Sequence, residues 1–96
     1  MCRVMAFAFS LALALLVVPP ASAQPRCIET DVWANGTPAA LNAIARRHAR
    51  AAWLARVRSE LGEDYATWSR AKGPRITCPR KQRMYTCTVS ARPCRA

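Results

Sequence analysis

The chain has 96 residues, with 15 Lys or Arg against five Asp or Glu, a formal net charge of +10, five cysteines and one histidine. That length holds one domain and excludes a multidomain enzyme. The basic excess points to anionic partners such as nucleic acid, lipid headgroups or cell-envelope polymers, although net charge also serves plain solubility.

Residues 1–23 have the three-part layout of a secretory signal peptide. Arg3 supplies the positive start, an uncharged and mostly apolar run fills residues 4–18, and Pro19 and Pro20 interrupt it. Ala21, Ser22 and Ala23 are the small residues a signal peptidase accepts, so cleavage is expected between Ala23 and Gln24. A membrane span needs about 20 apolar residues, and this run stops short of that. A lipid-attachment site is disfavoured as well, because Cys2 precedes the apolar run and Cys27 follows Gln24, Pro25 and Arg26. The expected product is exported, either periplasmic or secreted.

Removal of the signal takes Arg3 and Cys2 and leaves 73 residues with a net charge of +9. A domain this small buries only about 60% of its unfolded surface and depends on cross-links. The mature chain keeps four cysteines, Cys27, Cys78, Cys87 and Cys94, and an even count in an exported small domain reads as two disulfides. Zinc is the alternative for four cysteines. Their gaps of 50, 8 and 6 intervening residues lack the close pair that a structural zinc site takes from one tight turn. No metal or other cofactor is therefore expected.

Residues 24–36 contain Pro25, Asn35 and Gly36 and read as an irregular lead-in to a single helix–hairpin domain over residues 37–96. Thr37 followed by Pro38 predicts a helix start, through a hydroxyl cap and a proline that loses no hydrogen bond at the first helical position. The alanine-rich segment then predicts a long helix as far as Lys72, closed by Gly73-Pro74. Trp53, Leu54, Val57, Leu61, Tyr65 and Trp68 fall on one stripe of about 120°. Leu41, Ile44, Ala45, His48 and Ala52 fall nearly opposite it, so the helix is expected to bend or break near residue 50, or to pack its first half on something else. Gly62 is a second potential break, with Glu63 and Asp64 suited to a new first turn, but the stripe stays in phase across it and predicts continuity.

The remainder predicts a β-hairpin. Pairing Arg80 with Tyr85 across a four-residue turn sets Cys78 opposite Cys87 and Ile76 opposite Val89. One face then carries Ile76, Cys78, Tyr85, Cys87 and Val89, and the other Thr77, Thr86, Thr88 and Ser90. A one-residue slip would invert that split. Directly opposed residues lie within disulfide reach, so Cys78 is expected to pair with Cys87 and, by elimination, Cys27 with Cys94. The fold class is a small, disulfide-stabilised α+β unit, one long amphipathic helix packed on a C-terminal two-stranded hairpin.

Trp53 and Val57, then Leu61, Gly62, Tyr65, Trp68 and Ala71, then Cys78, Cys87 and the closing Arg92-Pro93-Cys94 resemble a group of small exported bacterial proteins without an assigned activity. The resemblance covers roughly residues 40–95 and implies export and a packed helix–hairpin unit; it implies no activity.

Candidates for catalysis are few. His48 is the sole histidine and sits among small apolar residues, while Glu60 is placed to pair with Arg56 one turn earlier. No nucleophile–base arrangement, phosphate-cradling glycine loop or metal-ligand spacing occurs, so an enzyme is not expected. Arg46, Arg47, Arg50 and Arg58 on the helix, with Arg80, Lys81 and Arg83 at the hairpin turn, are the candidates for an anionic partner. Trp53, Tyr65 and Trp68 read as core, and Trp33 stands outside that stripe, with its role open and a place over the helix start as one reading. The leading function class is an interaction or structural module docking on another envelope protein. The alternative is a cationic binder of anionic polymers or lipid surfaces, and membrane attack by an unfolded amphipathic helix ranks third.

Overall fold

A computed structural model of the protein describes residues 26–96. The signal peptide expected over residues 1–23 and its cleavage site between Ala23 and Gln24 lie outside the described residues. The elements run β1 (Val32–Asn35), α1 (Asn42–Leu61), two short 3-10 turns (Glu63–Tyr65 and Trp68–Arg70), β2 (Lys72–Thr77), β3 (Arg80–Lys81), β4 (Met84–Tyr85) and β5 (Thr88–Arg92). The fold is α+β: one helix on an antiparallel sheet of strand order β1-β5-β2, with β3 and β4 forming a separate two-stranded ribbon.

The lead-in is less irregular than the sequence suggested. Residues 32–35 alternate, Ala34 buried and Trp33 and Asn35 exposed, and pair along β5 from Val32↔Ala91 to Asn35↔Thr88. This third strand makes β5 central. That placement explains why Cys87, Val89 and Ala91 have no exposed surface.

The helix is shorter than expected at both ends. Thr37 and Pro38 do not start it, because residues 36–39 run extended beside the β4–β5 segment: Gly36 donates to the Cys87 carbonyl, and Ala39 exchanges two backbone hydrogen bonds with Tyr85. Leu41 takes the N-cap position with extended dihedrals and no side-chain cap. At the other end the expected continuity across Gly62 fails. Gly62 adopts φ 103° and closes the helix by donating to the Val57 and Arg58 carbonyls, a conformation that glycine alone takes without steric cost. Tyr65 and Trp68 therefore sit on or beside the 3-10 turns, and Trp68 packs edge-on against Trp53 at 5.2 Å.

No break occurs near residue 50. Ala45, Ala49, Trp53 and Val57, at a spacing of four, form one fully buried line along the continuous helix. The two halves pack differently. Around Ala49 the chain comes so close that a Cβ added at Gly36 would lie 2.4 Å from the Ala49 backbone nitrogen, so only glycine fits. Further along, Trp53 fills the space and its Nε1 donates to the Val32 carbonyl at 2.9 Å.

Gly73-Pro74 marks a β-bulge inside β2 instead of a helix end. Gly73 has φ 62°, the register slips between Lys72 and Arg75, and Pro74, lacking an N–H, is tolerated on this edge strand. Beyond the bulge the expected register holds, with Ile76↔Val89 and Arg80↔Tyr85. The connection is tighter than four residues: Lys81 pairs with Met84, and Gln82 and Arg83, at φ 53° and 70°, make a two-residue turn of the kind that matches strand twist. Both disulfides form as expected, Cys78–Cys87 and Cys27–Cys94.

Candidate anion-binding end

The helix start and the β3–β4 ribbon meet at one end of the molecule. The Ala39–Tyr85 bridge fixes the ribbon beside the residues that lead into α1, and Arg46 Nη1 lies 4.0 Å from Cys78 Sγ at the ribbon's base. Arg46 is thereby brought to the base of the ribbon that carries Arg80, Lys81 and Arg83, while Arg47 follows it on the helix and Arg50 lies one turn further along, near the helix middle. Arg80 stacks over the Tyr85 ring at 5.6 Å, which holds its guanidinium at the ribbon.

Arg58 does not join them. It lies in the last turn of α1, where its Nε donates to Glu63 at 2.7 Å. Twelve residues separate it from Arg46, about 18 Å along the helix axis. Arg56 is engaged too, with Glu60 at 3.0 Å and the Trp33 carbonyl.

Charge is divided unequally between the two ends. The acidic residues are Glu29 and Asp31 ahead of β1 and Glu60, Glu63 and Asp64 at the far end of α1. From Glu60 back to Arg46 is 14 residues, about 21 Å of helix, more than twice the screening length of about 8 Å in physiological salt. The carboxylates of the far end therefore do little to neutralise Arg46, Arg47 and Arg50. The first turn of α1 carries no acidic residue and its orphan N–H groups have no side-chain cap, so the positive end of the helix dipole adds to the same potential.

Exposed apolar groups accompany these cations. Leu41, at the helix N-cap, is 65% exposed and Met84, in the ribbon, 39%. His48, on the flank of α1, is tied back to the fold: its Nδ1 donates to the Thr37 carbonyl at 3.0 Å. All four described cysteines are in disulfides, and among the described residues no group of His, Cys, Asp and Glu gathers in a way that could hold a metal ion.

Two features escaped the sequence reading. Arg26, Arg70, Lys72 and Arg95 line an open cleft of about 310 Å³ around the Cys27–Cys94 bridge. The expected bridge carried that signal, since joining Cys27 to Cys94 necessarily brings Arg26 to Arg95, whose N–H donates to the Arg26 carbonyl at 2.8 Å. Trp33 does not cover the helix start; it stands 52% exposed on the outer face of β1. Only the unexpected strand could have revealed that.

Comparison with known proteins gives no match: no family profile, no curated protein and no solved structure is similar to this chain.

Proposed function

We propose that the protein is an exported, non-catalytic interaction module of the cell envelope that docks on an anionic lipid surface through the end formed by the start of α1 and the β3–β4 ribbon. One observation carries this reading: Arg46, Arg47 and Arg50 on the first half of α1 and Arg80, Lys81 and Arg83 on the ribbon have no ion pair among the described residues, the Ala39–Tyr85 bridge and Arg46 join the two elements, and Leu41 and Met84 stand exposed on them. Cations alone would suit any anionic polymer. Cations beside exposed apolar side chains suit a membrane interface, where charge attracts and apolar groups enter the headgroup boundary. Each Lys or Arg near such a surface contributes about 1 kcal/mol, so four to six contacts supply about 4–6 kcal/mol, a Kd between about 1 mM and about 40 μM, and apolar insertion adds to that. Two disulfides support an oxidising compartment outside the cytoplasm. The tie between His48 and a backbone carbonyl supports a structural role for that residue. Among the described residues no helix is long and apolar enough to cross a membrane, so attachment would be at the surface.

Co-sedimentation with vesicles tests the reading. Binding is expected to vesicles rich in phosphatidylglycerol, not to zwitterionic ones, and to fall steeply as salt rises. Leu41→Asn with Met84→Gln should weaken it without changing the salt slope. Salt-insensitive binding, or equal affinity for zwitterionic vesicles, would overturn the assignment. Binding to a soluble polyanion but not to vesicles would leave the cationic end and replace its partner.

A further inference from the structure

The sheet has two faces, and α1 covers one of them. On the other, Trp33 is the large apolar side chain left half in solvent, 52% exposed, on a strand otherwise consistent with burial on its inner side only. Its surroundings are polar and ordered. Asp31 and Asn35 stand two residues to either side of it along the strand, about 6.6 Å away each, and Ser90 is directly opposite on β5. Asp31 Oδ2 accepts from Ser90 Oγ at 3.3 Å and from Arg75 Nη2 at 3.1 Å, while Thr88 Oγ1 donates to Asn35 Oδ1 at 2.6 Å.

Arg56 steadies the ring from the helix side. Its guanidinium carbon lies 5.0 Å from the Trp33 ring centre, it donates to the Trp33 carbonyl, and Glu60 holds it in turn. Arg56 therefore braces the indole, and Trp33 as a whole remains 52% exposed. These contacts also oppose the simplest alternative use of an edge strand, pairing with a second chain. The Trp33 carbonyl, on the open side of β1, already accepts from Arg56, which takes one of the acceptors a second strand would need.

We infer that this outer face, with Trp33 on its edge strand β1, is a sugar-binding platform for a pyranose chain. A pyranose whose substituents are all equatorial, as in β-1,4-linked glucose or N-acetylglucosamine, presents a flat sheet of axial C–H groups and a rim of hydroxyls. The electron-rich indole face receives the C–H groups, and the rim meets Asp31, Asn35, Ser90 and Thr88, which lie beside Trp33 on the same face of the sheet. Each of these side chains is held by a neighbour, so little ordering remains to be done on binding. Trp33 rests on its own observations, and this site stands whether or not the cationic end docks on lipid.

The test uses a neutral probe, so charge does not enter. Chitotetraose is titrated into the disulfide-bonded protein in high salt, and two-dimensional amide and indole NMR is recorded. The indole signal of Trp33 and the amides of Asn35, Thr88 and Ser90 should move together, with millimolar affinity. Trp33→Ala should weaken binding about tenfold or more, while Trp33→Phe keeps part of it. Asn35→Ala, which leaves the ring in place, should weaken it less. Intact disulfides and an unchanged Trp53 indole signal establish that each variant is folded. Absence of shifts at 20 mM sugar, or shifts unchanged in Trp33→Ala, would overturn the inference. So would self-association that Trp33→Ala abolishes, because the face would then cover a second copy.

Discussion

The two halves of α1 are buried to the same depth by opposite means. In the first half Ala45 and Ala49 have no bulk, and the backbone at Gly36 comes down onto the helix itself. In the second half Trp53 and Val57 fill a wider space against β1, β5 and Trp68. The charges differ in parallel. Arg56 and Arg58 are matched by Glu60 and Glu63, whereas Arg46, Arg47 and Arg50 lie toward a helix start that stability would furnish with carboxylates. The second half is arranged for stability. In the first half, close alanine packing supplies the burial, and Arg46, Arg47 and Arg50 follow a first turn that carries no charge.

Substitution in the aromatic half should have the largest effect. Trp53→Ala removes the largest fully buried side chain and its bond to the Val32 carbonyl, and should cost about 3–5 kcal/mol in denaturant unfolding. Loss of the Cys27–Cys94 bridge, which spans 67 residues, should cost about 4 kcal/mol by loop-closure entropy. Loss of Cys78–Cys87, spanning nine, should cost under about 3 kcal/mol. On the alanine side, Gly36→Ala places a methyl against the Ala49 backbone and should cost about 1–3 kcal/mol. A matching loss of helix docking should appear as faster amide exchange in the first turns of α1.

Smaller effects sharpen the electrostatic contrast. Ala43→Glu puts a carboxylate into an exposed, acid-free first turn and should raise stability by about 0.3–1 kcal/mol while weakening vesicle binding. Stability and binding moving in the same direction would contradict the account. Arg58→Ala breaks a largely exposed ion pair with Glu63, should cost less than about 1 kcal/mol, and should leave vesicle binding unchanged.

The parts of the fold legible in the sequence are those with a strong local pattern. The alternation about Cys78 and Cys87 specified the register and, through it, both disulfides, because a slip would have turned the threonines inward. Helix boundaries were less legible, since they depend on partners distant in sequence. Thr37 and Pro38 have the chemistry of a helix start, yet Ala39 is taken by Tyr85, which lies 46 positions later. Gly62 stays in phase with the aromatic stripe, but Trp68 reaches Trp53 from a separate turn, so continuity of the helix was not needed to bury either ring. The strand at residues 32–35 is four residues long, too short for its alternation to stand out. Arg46 lies at the base of the ribbon that carries Arg80, Lys81 and Arg83, but that meeting of helix and ribbon rests on the Ala39–Tyr85 bridge, and neither basic cluster alone reveals it.

The proposed docking on an anionic surface depends on where the charges sit and not on net charge. Its most direct test compares two triple variants that lose the same three charges. One carries Arg46→Gln, Arg47→Gln and Arg50→Gln; the other carries Arg58→Gln, Arg70→Gln and Arg75→Gln. Both are titrated with phosphatidylglycerol vesicles over a range of salt. The account predicts a large loss of affinity and a shallower salt slope in the first variant, with near wild-type binding in the second. Equal losses in the two would contradict it, and would reduce the binding to a property of total charge.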